Sequence, residues 1–94
     1  MFGIFVTPRA TRQLERLRRY DMVAIINAIE AHLRHEPDRT SRGRIKRLRG
    51  HQDATYRLRV GGFRVFYDVS EGTVTVVAVL HKDETPTFYR KESR

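Results

Sequence analysis

The residues of this chain that could do chemistry are cationic, and they lie on a predicted sheet. From Tyr56 to Lys82 the sequence has the pattern of three consecutive antiparallel strands, and the Gly61-Gly62 pair predicts a two-residue hairpin turn between the first two. This turn places Arg59 directly opposite Arg64, and like charges that face each other across a strand pair are destabilising. Since core packing does not account for the pair, we expect an anion to bind there, with a phosphodiester lying across both guanidinium groups.

One chemistry open to such a face is RNA cleavage without a metal. That reaction needs a base for the 2′-hydroxyl, cations for the charge that builds on phosphorus, and an acid for the leaving oxygen. Arginine suits the second task because it stays charged and binds two oxygens at once. His81, Lys82 and Tyr89, near the end of the meander, are candidates for the acid and the base. The same three residues could equally be a solvated, inert cationic end of the sheet.

Metal chemistry is not favoured by the sequence. The acidic residues are scattered, and the only adjacent pair is Asp83-Glu84, whose consecutive side chains seldom converge on one ion. His32 and His35 have helical spacing but no evident third ligand, and cysteine is absent. We therefore expect neither a metal nor another cofactor, and a two-metal nuclease is disfavoured.

The composition indicates one small basic domain spanning residues 1–94. Hydrophobic residues make up 39% and charged residues 32% of the chain, which is typical of a folded globule. Nineteen Lys and Arg against eleven Asp and Glu give a net charge of +8, which favours an anionic partner such as nucleic acid or an acidic protein. No apolar run reaches the length of a membrane span and no signal-peptide pattern is present, so we expect a cytoplasmic protein with no membrane partner.

Two helices are predicted in the first half of the chain. Phe2 to Val6 is a short apolar strand, after which Thr7 as N-cap and Pro8 at the first position begin a helix that runs to about Arg19. Asp21 can cap a second helix that ends near His35. Its apolar stripe should face the core and consists of Met22, Ile25, Ile26, Ile29 and Leu33.

The second half of the chain predicts the rest of the sheet. Residues 44–50 could form a short strand or an irregular edge segment. Thr73 to Leu80 is apolar on both faces and therefore predicts a central, covered strand. Ser70-Glu71-Gly72 suits a three-residue turn, which would place Arg64 opposite Ala78, and Thr85-Pro86 could begin a last helical turn. The fold class is α+β: an N-terminal strand and a two-helix hairpin packed on an antiparallel meander of three further strands.

These motifs together resemble the RelE/ParE superfamily of toxins from type II toxin–antitoxin modules. The resemblance is carried by KRLRG at 46–50, YRLRVGGFRVFYDV at 56–69, TVTVVAVLHK ending at Lys82, and the late Tyr89. It spans nearly the whole chain, and the block from 48 to 67 is most similar to the RelE branch. The resemblance implies a RelE-like fold and a toxin that cuts mRNA in the ribosomal A site without a metal.

The resemblance also implies roles for individual residues. Arg64 matches an arginine that stabilises the scissile phosphate, while Lys82 and Tyr89 fall where the family has a second catalytic arginine and a tyrosine base. The segment from Lys82 to Tyr89 is longer than usual and contains Pro86. The matching RNA-binding positions are Lys46, Arg49, Arg57 and Arg59, to which we add His81 beside Lys82.

The partners implied by the resemblance are a cognate acidic antitoxin, mRNA in the ribosomal A site, and ribosomal RNA. Promoter DNA would be bound only through the antitoxin complex. Two other functions remain open on the same fold. A ParE-like toxin would poison DNA gyrase, and a non-catalytic basic module would simply hold RNA or an acidic peptide.

Overall fold

A five-stranded sheet with two helices packed on one face makes up the fold, as a computed structural model describes it for residues 1–50 and 54–85. The elements in chain order are β1 (Gly3–Val6), α1 (Pro8–Glu15), α2 (Arg19–Leu33), β2 (Ile45–Arg47), β3 (Tyr56–Val60), β4 (Phe63–Ser70), β5 (Thr73–His81) and a 3-10 turn, η1 (Lys82–Glu84). The strands lie in the order β1-β5-β4-β3-β2, which confirms the predicted α+β class and the three-strand meander.

The β3–β4 hairpin has the register that the Gly61-Gly62 turn predicts. Arg59 pairs with Arg64, and Arg57 pairs with Phe66. Of the two glycines only Gly61 has a positive φ, at 54°. That value is easily reached by glycine and seldom by other residues, so the turn and therefore the register are set locally.

The β4–β5 hairpin differs from the prediction. Ser70 pairs with Thr73, so the turn is the two residues Glu71 and Gly72, whose φ values are 48° and 79°. The three-residue turn was therefore wrong. Both central residues of a tight hairpin of this kind need a positive φ, and Glu71 therefore adopts the left-handed region.

A β-bulge then shifts the register farther along the same strand pair. Tyr67 pairs with Val76 but Phe66 pairs with Ala78, which makes Val77 the extra residue on β5. Beyond the bulge Arg64 lies opposite Leu80, and the predicted pairing with Ala78 was wrong. Because β5 is apolar on both faces, its sequence carries no alternation that could have revealed the extra residue.

α1 begins as predicted, but its end and the start of α2 differ from the prediction. The Thr7 hydroxyl accepts a hydrogen bond from the Ala10 amide at 3.2 Å, which confirms the N-cap. α1 ends at Glu15 rather than near Arg19, and α2 already begins at Arg19, so Asp21 lies in its first turn and contacts Arg18 instead of capping. Neither helix described here is long and apolar enough to cross a membrane.

The main core lies between the helices and one face of the sheet. Ile25, Ile29 and Leu33 of α2 are buried in it, as the stripe predicts. Ile26 is 42% exposed, so its assignment to the core was wrong. A helix in contact with one sheet face buries only a limited arc, and Ile26 lies beside that arc.

The N-terminal strand closes the sheet on the side of β5. β1 runs parallel to β5, with Val6 beside Val76, and ends before β5 does. The Val79 amide would then have no strand partner on that side, and the Gln13 side chain of α1 accepts its hydrogen bond at 2.7 Å. β5 is consequently an inner strand, as its apolar sequence predicts.

A second, smaller apolar cluster lies on the opposite sheet face. Phe66 and Ala78 are fully buried there, Ala54 and Leu80 nearly so, and Leu48 and Val77 pack against them. The sequence did not predict an apolar cluster on the face that carries the arginines. Phe66 pairs with Arg57, so the apolar cluster and the cationic residues share this face.

Tyr67 links the sheet to the segment that follows α2. Its buried hydroxyl donates to the Pro37 carbonyl at 2.6 Å, and burial first, then the neighbouring Tyr56 and Asp38, raise the pKa of this phenol. We expect Tyr67→Phe to lower the free energy of unfolding by about 1–3 kcal/mol, because the buried carbonyl loses its donor. Urea denaturation measures this, with Tyr20→Phe, whose residue is 82% exposed, as the control. Equal stabilities for the two variants would contradict the assignment.

Candidate functional site

One face of the sheet gathers cationic side chains from three adjacent strands. Pairing places Lys46 beside Arg57, and Arg59 beside Arg64. Residues paired directly across an antiparallel ladder point to the same face, so these four residues form one surface, called here the basic face. It lies opposite the helices, since Val65 and Tyr67 of β4 point into the main core.

Arg64 lies at the end of the basic face that carries the Gly61-Gly62 turn. Its guanidinium Nη1 donates to the Gly61 carbonyl at 3.0 Å and to the Phe63 carbonyl at 2.9 Å. The side chain is half-buried. These contacts fix the cationic group close to the turn.

Lys82 meets the same turn from the neighbouring strand. Its backbone amide donates to the Gly62 carbonyl at 2.8 Å, at the point where β5 ends and η1 begins. The Lys82 side chain is exposed. The fold therefore brings Arg64 and Lys82, two of the three predicted catalytic residues, to one short turn.

His81 packs against this turn. Its ring lies edge-on to Phe63, with 5.4 Å between the ring centroids, and its Nε2 lies 3.2 Å from the position that a Cβ on Gly62 would occupy. Its Nδ1 accepts a hydrogen bond from the Asp83 amide at 3.2 Å. The Asp83 carboxylate is 3.3 Å from the same nitrogen. Because an Nδ1 that accepts carries no proton, we interpret the geometry as a helix cap and not as an ion pair.

The prediction that Arg59 and Arg64 lie side by side is only half correct. Their backbones are paired, but the Arg59 Nη1 lies 3.9 Å from the Cβ position of Gly43, in the segment before β2. Arg64 instead contacts the carbonyls of its own hairpin. Long side chains choose acceptors and space nearby, so strand pairing alone does not set where their charges lie.

Arg57 lies in the middle of the basic face, between Lys46 and Phe66. Its Nε is buried and has no hydrogen-bond partner among the described residues. Leaving a buried donor unpaired costs about 1–3 kcal/mol, and more where the group is charged. The position therefore favours a ligand that supplies an acceptor oxygen.

A cavity of about 400 Å³ opens at the β2 edge next to Arg57. The residues lining it are Thr40, Ser41, Arg42, Gly43, Ile45, Lys46, Arg47 and Arg57. The sequence motifs did not connect Arg42, in the segment before β2, with the site. The signal that could have done so is the alternation of Arg and small residues directly before a basic edge strand.

The remaining predicted residues do not join this cluster. Arg49 follows β2 at the end of the sheet away from the Gly61-Gly62 turn, where Leu48 donates to the Thr55 carbonyl. Tyr89 lies outside the described residues, as does the helical turn predicted to hold it. The roles predicted for these positions stay predictions.

The basic face carries four cationic residues on three adjacent strands. Among residues 1–50 and 54–85, no carboxylate forms an ion pair with Lys46, Arg57, Arg59 or Lys82. Asp68 shares β4 with Arg64, but four residues of strand separate them by about 13 Å. The Asp68 carboxylate accepts a hydrogen bond from the Thr55 hydroxyl at 2.6 Å. Near the turn, η1 carries Asp83 and Glu84 directly after Lys82, so both signs of charge are present there.

Arg44 lies beyond the edge of this face and turns toward the helices. Its Nη1 is 2.6 Å from His32 Nε2. Burial lowers the pKa of His32 below its usual range, and the charge of Arg44 lowers it further. Within the part of the chain that the structure describes, no group of three His, Asp or Glu side chains is arranged to hold a metal ion.

Comparison with known proteins identifies a family that this chain matches. Residues 4–86 match the family model of the ParE toxin of the type II toxin–antitoxin system parDE. No curated protein matches the chain significantly.

Solved structures share the fold. The toxin–antitoxin complex RelBE2 from Mycobacterium tuberculosis matches with a TM-score of 0.73 and 27% identity, covering 85% of this chain and 96% of that one. The RelB–RelE complex from Methanococcus jannaschii matches with a TM-score of 0.68 and 20% identity, covering 90% of this chain and 98% of that one. A mutant of the E. coli toxin RelE in the free state matches with a TM-score of 0.61 and 19% identity, covering 98% of this chain and 93% of that one. Because the identity of the last two matches is so low, they show similarity of the fold alone.

Proposed function

We propose that this chain, which belongs to the ParE toxin family within the RelE/ParE superfamily of type II toxin–antitoxin systems, inhibits translation as a ribosome-dependent, metal-free mRNA endonuclease. Residues 1–94 act as one toxin domain in the cytoplasm, where translating ribosomes are found. Its partner is a cognate antitoxin, as in the RelBE2 complex it is similar to. With a toxin of net charge +8, we expect that antitoxin to be acidic.

The observation that carries the proposal is the meeting of Arg64 and Lys82 at one hairpin turn. The Arg64 guanidinium contacts the Gly61 and Phe63 carbonyls, and the Lys82 amide contacts the Gly62 carbonyl. A guanidinium held at this turn, together with a lysine whose backbone is anchored beside it, can stabilise the negative charge that builds on a phosphate as the 2′-oxygen attacks. Catalysis by preorganised positive charge of this kind needs no metal ion.

The basic face supports the binding half of the proposal. The buried Nε of Arg57 has no hydrogen-bond partner within residues 1–50 and 54–85, and Lys46 lies beside Arg57. Phosphate oxygens are suitable acceptors for both groups, and such contacts position a strand without reading its sequence. In this proposal the ribosome presents mRNA in the A site, and the basic face also contacts ribosomal RNA.

Induction of the chain without its antitoxin tests the proposal. We expect growth to stop, and mapped RNA 5′ ends to fall within translated frames of ribosome-bound messages. A growth arrest without such cuts would contradict the nuclease function. Naked RNA offered without ribosomes should remain intact, since the ribosome presents the substrate.

Poisoning of DNA gyrase is the second candidate, favoured by the match to the ParE family model. It predicts DNA damage while translation continues and inhibition of supercoiling by purified gyrase. The same induction experiment therefore separates the two functions. If both translation and DNA remain unaffected, the chain is a non-catalytic basic binding module.

A further inference from the structure

Two residues flanking Lys82 form a reciprocal cap around η1. The His81 Nδ1 accepts from the Asp83 amide at 3.2 Å, and a Glu84 carboxylate oxygen accepts from the His81 amide at 2.8 Å. This is the arrangement of a capping box, with histidine in the place usually taken by serine or threonine. In the sequence Glu84 stands out only as half of the adjacent acidic pair Asp83-Glu84, although its spacing of three from His81 is the capping-box signal.

The cap is attached to the turn that holds Arg64. The His81 ring packs edge-on against Phe63, and Lys82, between the two capping residues, donates its amide to the Gly62 carbonyl at 2.8 Å. On the other side of the turn Arg64 holds the carbonyls of Gly61 and Phe63. Loss of the cap would loosen the backbone that carries the Lys82 side chain. The hydrogen bonds of Arg64 to the Gly61 and Phe63 carbonyls are not part of the cap.

We propose that His81 and Glu84 are positioning residues, which hold Lys82 beside Arg64 through the capped η1 turn and thereby place two cations around one RNA phosphate. This inference rests on the proposed nuclease function. It assigns His81 a role as a hydrogen-bond acceptor, in place of the RNA-binding cation expected from the sequence. Only an unprotonated Nδ1 can accept from the Asp83 amide.

Substitutions at position 81 separate the two roles. His81→Asn keeps a capping acceptor, whereas His81→Lys keeps positive charge and has no acceptor. With the purified full chain and ribosome-bound mRNA, we expect His81→Ala and His81→Lys to lower kcat by about tenfold, as loss of a cap would allow, with KM little changed. His81→Asn should remain within about threefold of the parent protein. A cationic RNA-binding role predicts the reverse order and a change in KM.

Glu84 supplies a matched pair. Glu84→Gln keeps the acceptor for the His81 amide and should cleave normally, whereas Glu84→Ala should resemble His81→Ala. Thermal unfolding of each variant shows whether it is folded. Amide hydrogen exchange then reads the cap directly, and we expect faster exchange at Asp83 and Lys82 in His81→Ala than in His81→Asn.

The results at position 81 and those of the parent protein test the inference and the proposed function separately. Normal cleavage by His81→Ala, or protection of the Asp83 and Lys82 amides that does not change in that variant, overturns the inference while leaving the proposed function intact. Failure of the parent protein to cut ribosome-bound mRNA overturns the proposed function and the catalytic role of the cap with it. If His81→Asn loses cleavage while His81→Lys still cleaves, His81 acts as an RNA-binding cation, as the sequence predicted.

Discussion

Arg64→Ala is expected to reduce cleavage of ribosome-bound mRNA by about 10²–10³-fold, the usual loss when one preorganised group that stabilises transition-state charge is removed. The reason is the position of its guanidinium at the Gly61-Gly62 turn, where Lys82 is also anchored. Cells that express Arg64→Ala without antitoxin should keep growing. Single-turnover cleavage assays give the fold-change, and an antitoxin pull-down shows that the fold persists.

Two matched variants show what the loss at Arg64 means. Arg64→Gln removes the charge but keeps an amide that can donate to the turn carbonyls, so it should be nearly as inactive as Arg64→Ala. Arg59→Ala removes the cation paired with Arg64 on β3, whose guanidinium lies toward Gly43, and should mainly weaken binding. Cleavage by Arg64→Ala at the parental rate would contradict the catalytic assignment, and an active Arg64→Gln would reduce Arg64 to a support for the turn.

The largest expected change in stability follows Phe66→Ala. Phe66 is fully buried on the face that carries the cations, together with Ala78 and Leu80. Truncation of a buried phenylalanine costs about 3–5 kcal/mol, through lost transfer free energy and the cavity that remains. Because small domains have only about 5–15 kcal/mol of total stability, a substantial fraction of it should disappear.

Urea denaturation measures this loss as a lower midpoint. Phe5→Ala is the control, since Phe5 is also in a strand but 54% exposed, and its effect should be much smaller. Similar midpoints for the two variants would show that the apolar cluster beneath the basic face contributes little. RNA cleavage by Phe66→Ala should be measured well below its unfolding transition.

The sequence by itself determined the first hairpin and the start of α1, both of which short-range chemistry controls. The Gly61-Gly62 turn determined the pairing of β3 with β4, because a two-residue turn sets the register, and a slip of one residue would move Tyr56 and Leu58 off the core face. Thr7 and Pro8 determined the start of α1 for a similar reason, since one side-chain acceptor and one fixed φ suffice. These local signals also carried the resemblance to the toxin family.

Only the tertiary structure decided where the charges lie. The two-residue turn and the extra residue Val77 each shift the register by one, and together they move the partner of Arg64 from Ala78 to Leu80. An apolar strand covered on both faces carries no alternation that records such a bulge. Arg59 and Arg64 are paired in sequence register but contact different neighbours, because long side chains take their direction from acceptors that distant segments bring close. The joining of Lys82 to the Gly62 carbonyl likewise exists only once β4 and β5 have paired, so the candidate site is a product of the folded sheet and not of any one motif.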